Sequence, residues 1–470
     1  MWKFIKYAFI GWILLSIVTA PLYWPYARMW WVFMPSVAAA NYDPPASEAE
    51  ARRQDADYLS TLTQYDRAFN DSARESFAAH IAEIEAAAEE LSSAQFYLDI
   101  AEAVALADNG HTNVSIYPQH TDFKTIGARL YRFRDGVFIV SAAPDKAAYL
   151  GQRVIAIDGA PIEALISDLG RYRGGNEAWR DLHSLYIIES PELFAASGHG
   201  TSAEALELTL ESNAGALEKV RFEGLLPDDP EGMGWRSAWH SLIPTGATKG
   251  FEGWRHVSSE DDADQLPRYL VNPSEPLSYA LDEGGLYIRA LPGFKAGDQS
   301  IQQAYNAMLA DHQDESLDYL VVDFRLHDGG DYTKSMAFAK NAPKSVKPDG
   351  KVYLITGPNT FSAGIVTLAM LKYYSGERAM VIGEQMGDRE QFWAERGSRF
   401  SLPNSGYSIN YATGYHNWET GCKGEKYCYT MNVKHEVPAG SLATQAEIGQ
   451  TFESYQRGED VVLDWIAARH

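Results

Sequence analysis

Ser362 lies in TGPNTFSAGIVT, residues 356–367, between an apolar run, KVYLI, and a helix-like run, LAMLKYY. Strand, small-residue turn and helix are the reading of that pattern. A serine hydroxyl displayed on such a turn is a candidate nucleophile, provided a neighbouring base accepts its proton. Imidazole does this near neutral pH and returns the proton to the leaving amine, and a carboxylate behind it fixes the tautomer. The developing oxyanion needs two N–H donors. Ala363, at the helix start, offers one. The stretch is not G-x-S-x-G, because Thr360 holds the first glycine position. That argues against an α/β-hydrolase esterase.

The elements that must position these groups are legible in outline. From 44 to about 107 the apolar spacing is helical, as in FAAHIAEIEAAAEELSSAQFYLDIAEAVALA. Asn109 and Gly110 break that pattern in LADNGHTNVSIYP, and His111 sits at the break. Taken alone, such a histidine reads as a surface or capping residue. ARLYRF, GVFIVSAA and LGQRVIAIDGAPIEALISDL then read as strands and a following helix, with Gly151 and Gly159 bracketing one strand. Residues 176–280 are rich in Trp, Gly and Pro and read as an irregular connection, with SSEDDADQ as a solvated acidic loop. The last third alternates. GLYIRALPGF (285–294), LDYLVVDFRL (317–326), KVYLIT (351–356) and RAMVIGE (378–384) are strands with helices between them. This is an α/β pattern with a largely parallel sheet, whose active groups collect at the strands' carboxyl ends. HDGG and GPNTFSAG both fall there.

Composition bounds the function. The 470 residues are 46% hydrophobic and 22% charged, ordinary for globular protein. With 40 Lys plus Arg against 63 Asp plus Glu, the net charge is −23. That surface repels phosphate backbones and argues against nucleic acid as a partner. At the start of the chain, Lys3 and Lys6 precede a run without charge up to Arg28, long enough to cross a bilayer as a helix. Trp and Tyr crowd its far end, where amphipathic rings suit the interface. An uncleaved anchor, a removed signal and a buried core helix remain open. The first two put the remaining chain outside the cytoplasm. Cys422 and Cys428 could pair in an oxidising compartment. With His416 and His435 they could instead form a zinc set, or they could be free thiols. No cofactor is implied.

Several of these stretches together resemble the S41 serine peptidases, the family of C-terminal processing and tricorn-core proteases. DFRLHDGG is similar to the D-x-R-x-N-x-G-G motif, with His327 in the asparagine position. TFSAG resembles the nucleophile turn and VIGEQ the strand and Gly-Glu after it. LADNGHT resembles the D-x-H-T stretch of the branch that uses histidine, and LGQRVIAIDGAPI the PDZ module. The branch with a Ser/Lys dyad has lysine where this chain has Arg389, and arginine cannot serve as a base. The resemblance therefore implies Ser362, His111 and Glu419 (in HNWETG) as nucleophile, base and carboxylate, with Ala363 and Gly329 or Gly330 as oxyanion donors. It implies a ClpP/crotonase-like α/β catalytic domain at 281–470, with a helical N-terminal layer at 41–122, a PDZ-like β-rich module at 123–175 and a membrane anchor or signal in 1–40. The expected activity is that of a membrane-anchored, extracytoplasmic serine endopeptidase acting on protein or peptide substrates. The alternative is a weakly active or inactive S41-like protein that binds peptides or lipids.

Overall fold

The structure, a computed structural model, describes residues 19, 23–24, 26–226, 238–244, 253–258, 266–291, 295–296, 298–312 and 315–470. Most of the uncharged run at 7–27, and with it the expected anchor, lies outside these. Among the described residues no helix is long and apolar enough to cross a membrane. Arg28, the first charge after the run, donates to the carbonyls of Lys426 and Cys428 and to Thr430 Oγ1, and Phe33 is fully buried with its edge on Tyr429.

Three main helices follow: α1 (Glu48–Ser60), α2 (Asp71–Ala87) and α3 (Ser93–Ala105). Side-chain caps start each one. Ser47 and Asn70 accept from backbone N–H groups three residues on, and Ser92 with Gln95 forms a capping box. The next strands are β1 (Ala128–Phe133), β2 (Gly136–Ala142) and β3 (Arg153–Ile157). Helices α4 (Ile162–Leu169) and α5 (Glu177–Ile188) lead to β4 (Ala205–Glu211) and β5 (Leu217–Leu225). The segment that reads as an irregular connection thus carries one long helix and two strands. In β4, Leu206, Leu208 and Leu210 alternate inward to a core shared with the N-terminal helices. The antiparallel order is Thr125–Ile126, β5, β4, β3, β2, β1.

The second sheet contains β6 (Leu277–Asp282), β7 (Gly285–Ala290), β8 (Leu317–Asp323), β9 (Val346–Thr356), β10 (Ala379–Gly383) and, after the hairpin β11 (Gln391–Ala394) with β12 (Gly414–Asn417), β13 (Ala446–Glu447). Its order is β6-β7-β8-β9-β10-β13, antiparallel at β6–β7 and parallel thereafter. Helices α6 (Ile301–Asp311), α7 (Ala363–Ser375) and α8 (Val461–Ala467) cover it. Being buried on both faces, β8 and β9 carry the continuous apolar runs of a parallel sheet. The expected α/β sheet, helical layer and β-rich module are all present. Cys422 and Cys428 form a disulfide, so the thiols are bonded to each other and not available as zinc ligands.

At the carboxyl end of β8, Asp323 and Arg325 form a buried ionic cluster. Arg325 Nη2 is 2.5 Å from Asp323 Oδ2 and 2.7 Å from Asp460 Oδ2, and its guanidinium covers the Tyr269 ring at 3.8 Å. Asp460 caps α8, so one arginine ties the strand end to the C-terminal helix. Arg325→Met leaves two buried carboxylates without a cation, and equilibrium denaturation should show a loss of about 3–5 kcal/mol.

Candidate active site

The turn that holds Ser362 is a strained one. Ser362 has φ +52° and ψ −119°, a conformation rare outside glycine, and it immediately precedes α7 at the carboxyl end of β9. Such a backbone costs roughly 1–3 kcal/mol and is kept where surrounding contacts over-determine it. Here they come from the loop after β8. Phe361 N donates to His327 O at 3.0 Å and Thr360 Oγ1 to Phe324 O at 2.9 Å, while Gly357 N donates to Thr360 Oγ1 at 3.0 Å. The two turns at the sheet's carboxyl edge are therefore laced into one unit.

Gly329 and Gly330 complete that unit, with φ of +142° and +111°. A Cβ on Gly329 would stand 3.4 Å from Ser362 Cβ and 3.8 Å from its Oγ, so the glycine backbone lies directly against the serine. Ala363 opens α7, where the N–H has no acceptor within the helix. His327 is buried beneath this helix start, close to Gly364. Burial pushes its imidazole down to about 4, which keeps it neutral.

His111 arrives from the other half of the chain. Its ring is sandwiched between Phe361, at 4.4 Å between centroids, and Phe392 of β11, at 5.2 Å. A side chain on Gly110 would strike Phe361 at 2.8 Å. The turn is fastened on both flanks. Asn109 donates to Trp393 O at 3.0 Å and accepts from Trp393 N at 3.2 Å, occupying the place of a neighbouring strand. Asp108 is gripped by Arg180 and by Arg389, the latter at 2.9 Å. Arg389 is thus a clamp on the histidine turn.

The carboxylate beside the histidine is Asp388. Its Oδ2 is 3.2 Å from His111 Nδ1, within ion-pair range but out of hydrogen-bond alignment, and neither ring nitrogen has a hydrogen bond. Glu419 sits on the turn after β12 and accepts from Gln391 Nε2 at 2.9 Å. Asp388 carries no motif signal in the sequence, although it stands next to Arg389 in GEQMGDREQF, just past the Gly-Glu strand. A cavity of about 470 Å³ opens beside His111 and Phe361.

No protein-family model matches the sequence, and no curated protein matches it. Solved structures do. Mature CPAF complexed with lactacystin is 13% identical over 89% of this chain and 97% of that one, with a TM-score of 0.54. Mature CPAF alone gives 14% identity, 89% and 96% coverage and a TM-score of 0.53. The chain therefore has a fold like that of CPAF over nearly its whole length.

A second cavity, of about 630 Å³, separates β1 from the carboxyl edge of the second sheet, between Tyr131, Pro358, Glu384 and Glu447. Burial, only partly offset by Arg325, pushes the Glu384 carboxyl up to about 7. Between its ordinary 4.5 and about 7 the folded protein holds a proton that the unfolded chain has lost, so stability falls as pH rises through that window. Glu384→Gln should flatten the dependence by roughly 2–3 kcal/mol between pH 5 and 8, measured by denaturant midpoints at each pH.

Proposed function

We propose that this chain is a serine endopeptidase of the S41 type, cutting peptide bonds through an acyl-enzyme. The observation that carries this reading is Ser362, held at positive φ at the head of α7 with Gly329 against its side chain. In this reading Ser362 Oγ attacks the peptide carbonyl and His111 takes its proton. The tetrahedral oxyanion is held by N–H groups of Ala363 and of Gly329 or Gly330, each donor contributing about 10²–10³ in rate. His111 then protonates the leaving amine, and water, activated by the same imidazole, releases the acyl group. Asp388 is the carboxylate that orients and stabilises the imidazolium, being 3.2 Å from Nδ1. Glu419, the carboxylate implied by the motif resemblance, accepts from Gln391 Nε2 and is the rival candidate for that orienting role. Catalytic hydrogen bonds in ligand-free enzymes are commonly loose and tighten on binding, which accommodates the open geometry at His111.

The reading extends to location. The uncharged run before Arg28 anchors the protein, and the catalytic region lies outside the cytoplasm, where the Cys422–Cys428 disulfide is stable.

Full-length protein with a peptide library tests the chemistry. Ser362→Ala and His111→Ala should fall to similar residual rates, because members of a catalytic unit lose activity together. Asp388→Asn should lose roughly 10⁴-fold in kcat, and Glu419→Gln much less. Undiminished turnover by Ser362→Ala would remove the assignment; a larger loss in Glu419→Gln than in Asp388→Asn would move the orienting role to Glu419.

A further inference from the structure

Arg173 lines the 470 Å³ cavity together with His111, Trp179 and Phe361. It follows a short turn of helix, Gly170–Tyr172, in extended backbone that delivers its side chain inward. Its hydrogen bonding is sparse. Among the described residues it donates only to Val114 O, at 3.3 Å, and Nε is buried without a partner. No carboxylate among the described residues stands within ion-pair range of it. Tyr97 and Tyr186 are the polar neighbours that act on it, and burial lowers its pKa to about 10, which still leaves a full cation at neutral pH.

A guanidinium has five donors and no way to lose its charge, so a buried one is normally paired with a carboxylate. The other charged groups on the cavity wall do not fill this role. Glu395 faces His416, 3.4 Å from its Nε2, and Arg396 donates to Asn410 Oδ1 at 2.7 Å. Asp328 belongs to the HDGG loop and acts on Tyr186. The position of Arg173 relative to the nucleophile is set by rings. Its guanidinium lies 5.6 Å from the Trp179 ring, Trp179 stacks on Phe361 at 4.1 Å and 12°, and Phe361 precedes Ser362.

We infer that Arg173 is a specificity determinant, and that the cavity takes an acidic side chain, Asp or Glu, of a peptide residue close to the scissile bond. This rests on the peptidase reading for the word scissile, but the binding itself does not. Arg and carboxylate match in shape and charge, and desolvated pairing is the strong form of that contact. The chain's net charge of −23 repels acidic peptides at long range, so a preference for them has to arise from a local cation. Being buried, that contact should also persist at ionic strengths that screen surface charge.

The test uses full-length Ser362→Ala protein, which binds without turnover, and peptide pairs differing only by Glu against Gln at each of three positions on either side of a central bond. At one position Glu should bind at least tenfold tighter than Gln, at both 0.05 and 0.5 M salt. The added change Arg173→Gln should erase the difference while leaving the neutral peptide's Kd within about threefold. Equal binding of Glu and Gln at every position overturns the proposal. So does a preference that survives Arg173→Gln, or one that appears only for a free C-terminal carboxylate over its amide. Wild-type cleavage of the same peptides is scored separately. If nothing is cleaved yet the Arg173-dependent preference holds, the peptidase reading fails and the acidic pocket stands.

Discussion

Everything at the candidate site depends on one join between distant parts of the chain, the grip of Asn109 on Trp393. A single carboxamide satisfies both backbone groups of that residue, where a sheet would have needed another strand. Asp108, the neighbouring residue of the same turn, is held by Arg180 and Arg389, and His111 stacks on Phe361. The pairing of Asn113–Val114 with Ser408–Asn410 continues the same seam. Without it the imidazole and the serine would belong to separate layers, and an error of about 1 Å in their relation can cost 10²-fold in rate.

The other half of the site is built from strand ends. Parallel strands β8 and β9 end side by side, with Asp323 opposite Ile355. Their two turns then meet through backbone hydrogen bonds, and the strain at Ser362 is held by that meeting. Arg325 secures the same corner from below by joining Asp323 to the cap of α8. The ionic cluster and the strained serine are thus two parts of one corner, built on the carboxyl ends of adjacent strands.

What the sequence makes legible follows from locality. The turn around Ser362 is readable because strand, small residues and helix are contiguous, and β8 and β9 because buried parallel strands are uniformly apolar. Helix α5 and strands β4 and β5 are hidden by a Trp- and Gly-rich stretch whose periodicity is short and interrupted. Asp388 is hidden for another reason. Its pairing with His111 is a product of tertiary packing, and in sequence it is one acidic residue among 63. Glu419 is reached through motif resemblance, yet the fold gives it Gln391 as its neighbour. Arg173 carries no local signal at all, since only its buried surroundings distinguish it from a surface arginine.

The most direct measurement is intact-mass and peptide-mapping analysis after incubation with a serine-directed peptidyl phosphonate. A single adduct on Ser362 is expected, absent in Ser362→Ala and formed far more slowly in His111→Ala. No adduct on Ser362 in the folded wild-type protein, across phosphonates of varied sequence including acidic ones, would contradict the assignment of Ser362 as an activated nucleophile.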